Sequence, residues 1–205
     1  MFRMIACAAL MGLVSTPSMA QDYSSVGGGV LLRLLRDDRL GPNRVAVLES
    51  DLAYCYPPTR ELIIVPAGYV TDFASVPSLA TVVVERYGTS IEAAIVHDWL
   101  YAVGEPGRRR WADEIFRYAL GERRVNWLSR NLARLGVRAG GTEAYGRDGE
   151  WYGRFYFNGQ LGRPRFAKPS TAVVAVLPSC DDLEDETRLQ GLIHNYGSET
   201  WPETE

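Results

Sequence analysis

The sequence predicts an α+β fold in which short N-terminal antiparallel strands precede a compact bundle of about three helices, with a C-terminal strand or coil and an acidic tail after them. Two patterns predict this class. Up to residue 65, short apolar runs alternate with turn residues such as Pro57-Pro58, whereas after residue 90 the apolar positions recur with a helical period. The composition of the 205 residues, 46% hydrophobic and 23% charged, is that of an ordinary globular chain.

The strands are predicted from apolar runs that end at turn residues. Val30–Leu35 starts either a strand or a helical turn. Three clearer strands are expected at Val45–Leu48, Leu52–Tyr56 and Leu62–Val65. Much later, the glycine-spaced aromatic residues between Trp151 and Phe157 suggest a hairpin or an aromatic-rich coil.

The helices are predicted from apolar periodicity and from glycines that end each segment. The three expected helices are Ser90–Val103, ended by Gly104; Arg108–Leu120, ended by Gly121; and Val125–Val137, ended by Gly140-Gly141. Thr89 or Ser90 is the expected N-cap of the first helix. Pro106-Gly107 makes the turn between the first two helices, so these two are expected to pack as neighbours.

The first twenty residues have the pattern of a secretory signal peptide. One positive charge, Arg3, precedes the apolar stretch Ile5–Val14, and Ser18-Met19-Ala20 places small residues before the expected cleavage site. We therefore expect export to the periplasm or the medium after cleavage near Ala20. No apolar run reaches the about 20 residues of a transmembrane helix, so no membrane span is expected.

Charge is unevenly distributed along the rest of the chain. A polar leader over residues 21–29 is followed by a single α+β domain over residues 30–180 and by an acidic tail over residues 181–205, which we expect to be mobile. The segment from Arg108 to Arg138 contains nine arginines and only three acidic residues. This excess of positive charge is typical either of a surface that binds anionic lipid head groups or of a solvated helix surface. Export, a net charge of -3 and the lack of a recognised nucleic-acid-binding motif argue against nucleic acid as a binding partner.

Two cysteines, Cys55 and Cys180, follow the signal peptide. In an oxidising compartment a single pair usually forms a disulfide. Such a bridge would contribute about 4–5 kcal/mol in the chain-entropy model, and it would hold Thr171–Leu177 near the early strands. Two unpaired thiols are the alternative.

The chain has only two histidines, and they differ in context. His194 lies in the acidic tail, where a solvated bystander is the simplest interpretation. His97 lies inside an apolar helix and shares a face with Tyr101, four residues later. Asp98 is displaced by about 100° around the same helix and therefore points elsewhere.

The second helix carries Asp113 on its apolar stripe. If the first two helices pack antiparallel, Asp113 comes near His97. A carboxylate on one imidazole nitrogen fixes the tautomer and leaves the other nitrogen free to take a proton from water. The alternative is a buried His–Asp–Tyr network that only satisfies its own hydrogen bonds.

Several motifs together resemble one family. They are Val65-Pro-Ala-Gly-Tyr-Val-Thr-Asp-Phe-Ala-Ser-Val-Pro77, His97-Asp-Trp-Leu-Tyr101, Ala112-Asp113 and the arginine-led Gly140-Gly141. This run, over about Leu35 to Tyr145, resembles the phage- and bacteria-borne domain of unknown function 1353 family. The resemblance implies a family without implying an activity.

A second resemblance concerns chemistry. Ala93–Tyr101 followed by Ala112–Phe116 is similar to the core of secreted and parvoviral phospholipases A2. It implies that His97 activates water, that Asp113 orients His97 and that Tyr101 supports Asp113.

The same resemblance implies a calcium site. Asp98 would be a bidentate Ca²⁺ ligand and Asp72 a second ligand, with the ion polarising an ester carbonyl. The glycine-rich calcium loop of the animal enzymes has no clear counterpart in this chain.

Three functions stay open from the sequence. The first is a secreted, calcium-dependent hydrolase of the phospholipase A2 type, acting on phospholipid. The second is a non-enzymatic, phage-derived structural or binding module. The third is a hydrolase of the cell envelope, for instance of peptidoglycan. Two of the three are hydrolytic, so we favour an enzyme.

Overall fold

A computed structural model describes residues 30–35, 45–73, 90–147, 155–157, 160–162, 168–176 and 191. The elements in chain order are β1 (Leu32–Leu35), β2 (Val45–Leu48), β3 (Leu52–Tyr56), β4 (Glu61–Val65), β5 (Val70–Thr71), α1 (Ile91–Val103), α2 (Arg109–Glu122), α3 (Trp127–Gly140), β6 (Phe155–Phe157), β7 (Gln160–Gly162) and β8 (Val173–Val176). The predicted signal peptide, the leader, Cys180, His194 and, except for residue 191, the acidic tail lie outside the described residues.

The strands form two three-stranded sheets and a hairpin, all antiparallel. One sheet has the order β1-β2-β5 and the other the order β3-β4-β8, while β6 pairs with β7. The α+β class predicted from the sequence is confirmed, and Val30–Leu35 contributes a strand rather than a helical turn. The late strand β8 lies against the early strand β4, so the C-terminal part of the domain completes a sheet that the N-terminal part begins.

β2 has two buried faces, which explains its uninterrupted apolar sequence. Ala46 and Leu48 belong to the main core together with the helices. Val45 and Val47 form a smaller cluster with Val70 on the opposite face. Because successive side chains of a strand point to opposite faces, four consecutive apolar residues serve both clusters.

α1 is the central helix of the main core. Every residue from Glu92 to Val103 is buried, and only Ile91 at its start is partly exposed. Ser90 occupies the N-cap position without a capping hydrogen bond from its side chain. Gly104 ends the helix as predicted, in the left-handed conformation with φ 63°, which glycine adopts without strain.

The prediction that α2 ends before Gly121 is wrong. The helix continues to Glu122, and the chain leaves it through Arg124, which has a φ of 60°. Gly121 instead permits a close contact, because a Cβ at this position would lie 2.2 Å from Nη1 of Arg130. The glycine is therefore a packing site and not a helix stop.

The start of α3 also differs from the prediction. The helix begins at Trp127, two residues later than expected, because Asn126 acts as its N-cap. The Asn126 side chain accepts a hydrogen bond of 2.9 Å from the backbone N–H of Ser129. The helix ends at Gly140, close to the predicted Gly140-Gly141 stop. Within the described ranges, none of the helices has the length and apolar character to cross a bilayer.

Candidate functional site

The candidate site lies between α1 and α2, which run antiparallel. Glu92, at the start of α1, forms an ion pair with Arg123, just after the end of α2. At the other end of the pair, Tyr101 of α1 contacts Asp113 in the first turns of α2. The short connection through Gly107 permits this arrangement, since helices joined by a few residues pack as antiparallel neighbours.

The structure brings His97, Tyr101 and Asp113 together. Nε2 of His97 lies 3.4 Å from Oδ1 of Asp113, a long contact, while the Tyr101 hydroxyl donates a 2.7 Å hydrogen bond to the same oxygen. The His97 ring packs between Tyr101 and Phe116, with centroid distances of 4.2 and 4.8 Å. The arrangement therefore has the contacts that the sequence predicted, whereas the chemical role of each residue stays a prediction.

Both partners of the His–Asp contact are sealed from solvent. The exposed fraction of His97 is 0%, and that of Asp113 is also 0%. Nδ1 of His97 is buried and makes no hydrogen bond with the described part of the chain. In the tautomer that carries its proton on Nε2, towards the carboxylate, Nδ1 has the lone pair of the ring.

The Tyr101 hydroxyl is held in its protonated form. Burial, the hydrogen bond to Asp113 and the negative charge of that carboxylate raise the pKa of Tyr101 well above its usual value, against a smaller opposing effect of Arg109. Tyr101 therefore acts as a hydrogen-bond donor to Asp113 and not as a base.

Two further residues lie beside this network, and the sequence reasoning did not assign them. Nε of Arg138 on α3 lies 4.0 Å from Oδ2 of Asp113. A Cβ at Gly141 would lie 2.4 Å from the Tyr101 hydroxyl oxygen, so this glycine gives the phenol room to reach Asp113. The arginine that precedes Gly140-Gly141 was the available sequence signal for both.

Asp98 serves a different contact, as its position on the helix predicted. The Thr71 hydroxyl, at the end of β5, donates a 2.5 Å hydrogen bond to Oδ2 of Asp98. Thr71 Oγ1 in turn accepts a hydrogen bond of 3.2 Å from the backbone N–H of Phe73. Asp98 is 3% exposed, and Asp72 between these two loop residues is partly buried. Asp98 thus ties α1 to the chain that follows β5.

The calcium site implied by the resemblance is not tested by these contacts. The described stretches of the chain contain no group of three or more His, Cys, Asp or Glu side chains that could hold a metal ion. The Thr71 hydroxyl hydrogen-bonds one oxygen of Asp98, Oδ2. Calcium binding by Asp98 and Asp72 stays a prediction.

Cys55 lies away from this site. It belongs to β3, is 4% exposed and pairs in register with Leu62 of β4. Its predicted partner, Cys180, lies outside the described residues, so the disulfide stays a prediction.

The comparisons with known proteins identify a family but no function. The family model described as "Protein of unknown function (DUF1353)" matches residues 46–137, from β2 to α3. This confirms the first resemblance. His97, Asp98, Tyr101 and Asp113 lie within the matched stretch, and Arg138 follows it directly. Searches of curated proteins and of solved structures found no match.

Proposed function

Since residues 46–137 match the model of a family of unknown function (DUF1353), we propose a function from the site itself: a hydrolase in which His97 is the general base and Asp113 orients it. One observation supports this proposal most directly. Nε2 of His97 faces a carboxylate, whereas Nδ1 is buried without a hydrogen bond to the described residues. A buried polar atom in this condition costs about 1–3 kcal/mol, so its presence favours a water molecule or a substrate atom as the partner of Nδ1.

The proposed chemistry is hydrolysis of an ester. Nδ1 of His97 takes a proton from water while the water oxygen forms a bond to the carbonyl carbon, and the negative charge of Asp113 stabilises the imidazolium. The imidazolium then returns the proton to the alcohol oxygen as the ester C–O bond breaks. Tyr101 keeps Asp113 in place through its hydrogen bond, and Arg138 adds a positive charge 4.0 Å from the other carboxylate oxygen. None of these steps is routed through calcium.

A second candidate function is a non-enzymatic module, in which the same residues only join helices. The complete burial of His97 and Asp113 favours this candidate, because a general base must meet its water. In this case the network contributes stability and no activity.

Paired measurements of hydrolysis and stability separate the two functions. The full chain is incubated with phospholipid vesicles and, separately, with a peptidoglycan suspension, each with calcium and with EDTA. The variants are His97→Gln, Asp113→Asn and the control Glu143→Gln, whose side chain is 87% exposed on the turn after α3. If His97 is the base, His97→Gln lowers the rate by about 10²- to 10⁴-fold, while Glu143→Gln changes nothing.

Other outcomes decide against the hydrolase. If the unchanged chain hydrolyses neither substrate, or if His97→Gln hydrolyses as fast as the unchanged chain, His97 is not a general base. A large loss of stability in Asp113→Asn, together with no hydrolysis, supports the structural module. Clearing of the peptidoglycan suspension without release of fatty acid indicates that the substrate is peptidoglycan and not phospholipid. Loss of hydrolysis in EDTA supports a metal requirement.

We also propose export and a disulfide between Cys55 and Cys180. The topology supports the pairing: β4 lies between β3, which carries Cys55, and β8, which ends at Val176 and so precedes Cys180 by four residues. Thiol labelling of the exported chain, with and without reduction, tests both proposals. Two thiols that react only after reduction support the bridge, and two that react without reduction contradict it.

A further inference from the structure

The outer face of α3 is apolar and exposed. Four large side chains on this helix are open to solvent: Trp127 (68%), Leu128 (59%), Leu132 (47%) and Leu135 (57%). At about 100° per residue they fall within one arc of about 140°. The opposite side of the helix packs into the core through Ala133 and Val137. An apolar face of this kind is uncommon on a solvated helix and points to a contact surface.

Arginines lie along one border of this face. α3 contains no acidic residue, and its three arginines, Arg130, Arg134 and Arg138, recur every fourth residue along one border of the apolar face. Glu114 neutralises Arg134, and Asp113 lies near Arg138. The segment from Arg108 to Arg138 has nine arginines against three acids of its own, and acids outside it pair with two of these arginines, Arg108 and Arg123.

We propose that this face of α3 docks on the surface of a membrane that contains anionic lipid. The helix would lie in the plane of the membrane, with the leucines and Trp127 among the head groups and upper acyl chains. Tryptophan prefers this interfacial depth, and anionic head groups complement arginines. The proposal goes beyond hydrolysis, because docking needs none of the chemistry assigned to His97.

The charge also decides against a second copy of the chain as the occupant. A twofold contact places the same patch opposite itself. If the two copies of α3 pack antiparallel, the arginines that border one helix lie against the same arginines of the partner, which is unfavourable. An anionic lipid surface can contact both features, since acyl chains accept the apolar side chains and anionic head groups pair with the arginines.

Co-sedimentation with vesicles tests the proposal on the full chain. The vesicles contain either phosphatidylcholine alone or phosphatidylcholine with phosphatidylglycerol. We expect binding to the anionic vesicles, with weaker binding when salt is raised from about 0.1 M to about 1 M, which shortens the Debye length from about 10 Å to about 3 Å. The triple variant Leu128→Gln/Leu132→Gln/Leu135→Gln should lose about tenfold or more in partitioning.

Matched variants make this result specific. Leu31→Gln/Leu34→Gln removes two other leucines that are 63% and 54% exposed, and it should bind like the unchanged chain. All variants share the same N-terminal residues, so the difference between the triple variant and the unchanged chain reports on α3. His97→Gln should also bind normally, which separates docking from hydrolysis.

Three outcomes would overturn the proposal. One is the absence of binding to anionic vesicles, and another is equal binding by the triple variant and the unchanged chain. The third is a dimer that light scattering detects for the unchanged chain but not for the triple variant, together with no binding to vesicles. In that case a second copy of the chain covers the face. Unchanged helical circular dichroism of the triple variant shows that the comparison concerns folded protein.

Discussion

Tyr101→Phe is the most direct perturbation of the buried network. It removes a single oxygen, which donates the 2.7 Å hydrogen bond to Oδ1 of Asp113. The ring itself stays, together with its edge-to-face contact with Tyr145 at 5.1 Å and its contact with His97. The variant therefore tests the hydrogen bond and changes the packing little.

The expected cost follows from the acceptor. Without the phenol, Oδ1 of Asp113 keeps only the long 3.4 Å contact with His97, in a position with 0% exposure. A hydrogen bond to a charged group contributes about 1.5–3 kcal/mol, and an acceptor left buried loses it in full. We expect the free energy of unfolding to fall by about 2 kcal/mol. In a chain of this size that corresponds to a fall in Tm of about 4–8 °C.

Urea unfolding followed by circular dichroism measures this difference. The control is Tyr118→Phe, which removes a phenol oxygen from a partly exposed ring that packs edge-on against Tyr56. The control should change the free energy of unfolding by less than about 0.5 kcal/mol. If Tyr101→Phe is also within about 0.5 kcal/mol at an unchanged m-value, Asp113 does not depend on the Tyr101 hydroxyl and the reasoning fails.

Three further variants test neighbouring features. Gly141→Ala places a Cβ 2.4 Å from the Tyr101 hydroxyl oxygen, so it should lower the free energy of unfolding by about 1–3 kcal/mol in a thermal melt. Burial raises the pKa of Glu61, but hydrogen bonds, led by that from Arg108, outweigh it and lower the pKa. Glu61→Gln should therefore destabilise the protein at neutral pH. Its difference from the unchanged chain in urea unfolding should shrink as the pH falls below the ordinary Glu value of 4.5, because the unfolded state then binds a proton that the folded state accepts only at its own, lower pKa. Asn126→Ala should cost about 1 kcal/mol through loss of the N-cap, with Asn126→Gly costing only a few tenths, and equal losses would contradict the cap.

The elements were predictable wherever a local signal decides them. β2, β3 and α1 are bounded by turn residues or by a glycine that adopts positive φ, and the structure has them within one residue of the prediction. Gly121 shows where such signals fail. A glycine can end a helix, or it can leave space for a side chain from another element. At Gly121 that side chain is Arg130 of the following helix, which the local sequence does not reveal.

The site was predictable in part for the same reason. A short turn between α1 and α2 makes it simple to expect that Asp113 approaches His97. Two features are non-local and escaped prediction: the hydrogen bond between Thr71 and Asp98, across 27 positions of sequence, and the position of Arg138 beside Asp113. The sealing of His97 depends on core packing, for instance on Phe116, which no periodicity reveals.

The pairing of β8 with β4 affects where a fragment that still folds can end. The family model stops at residue 137, yet β4 finds its second neighbour in Val173–Val176. A fragment cut at residue 137 would expose the backbone N–H and C=O groups along one side of β4, and bare strand edges recruit other chains. Such a fragment should aggregate, so work on relatives should retain the residues that supply this last strand.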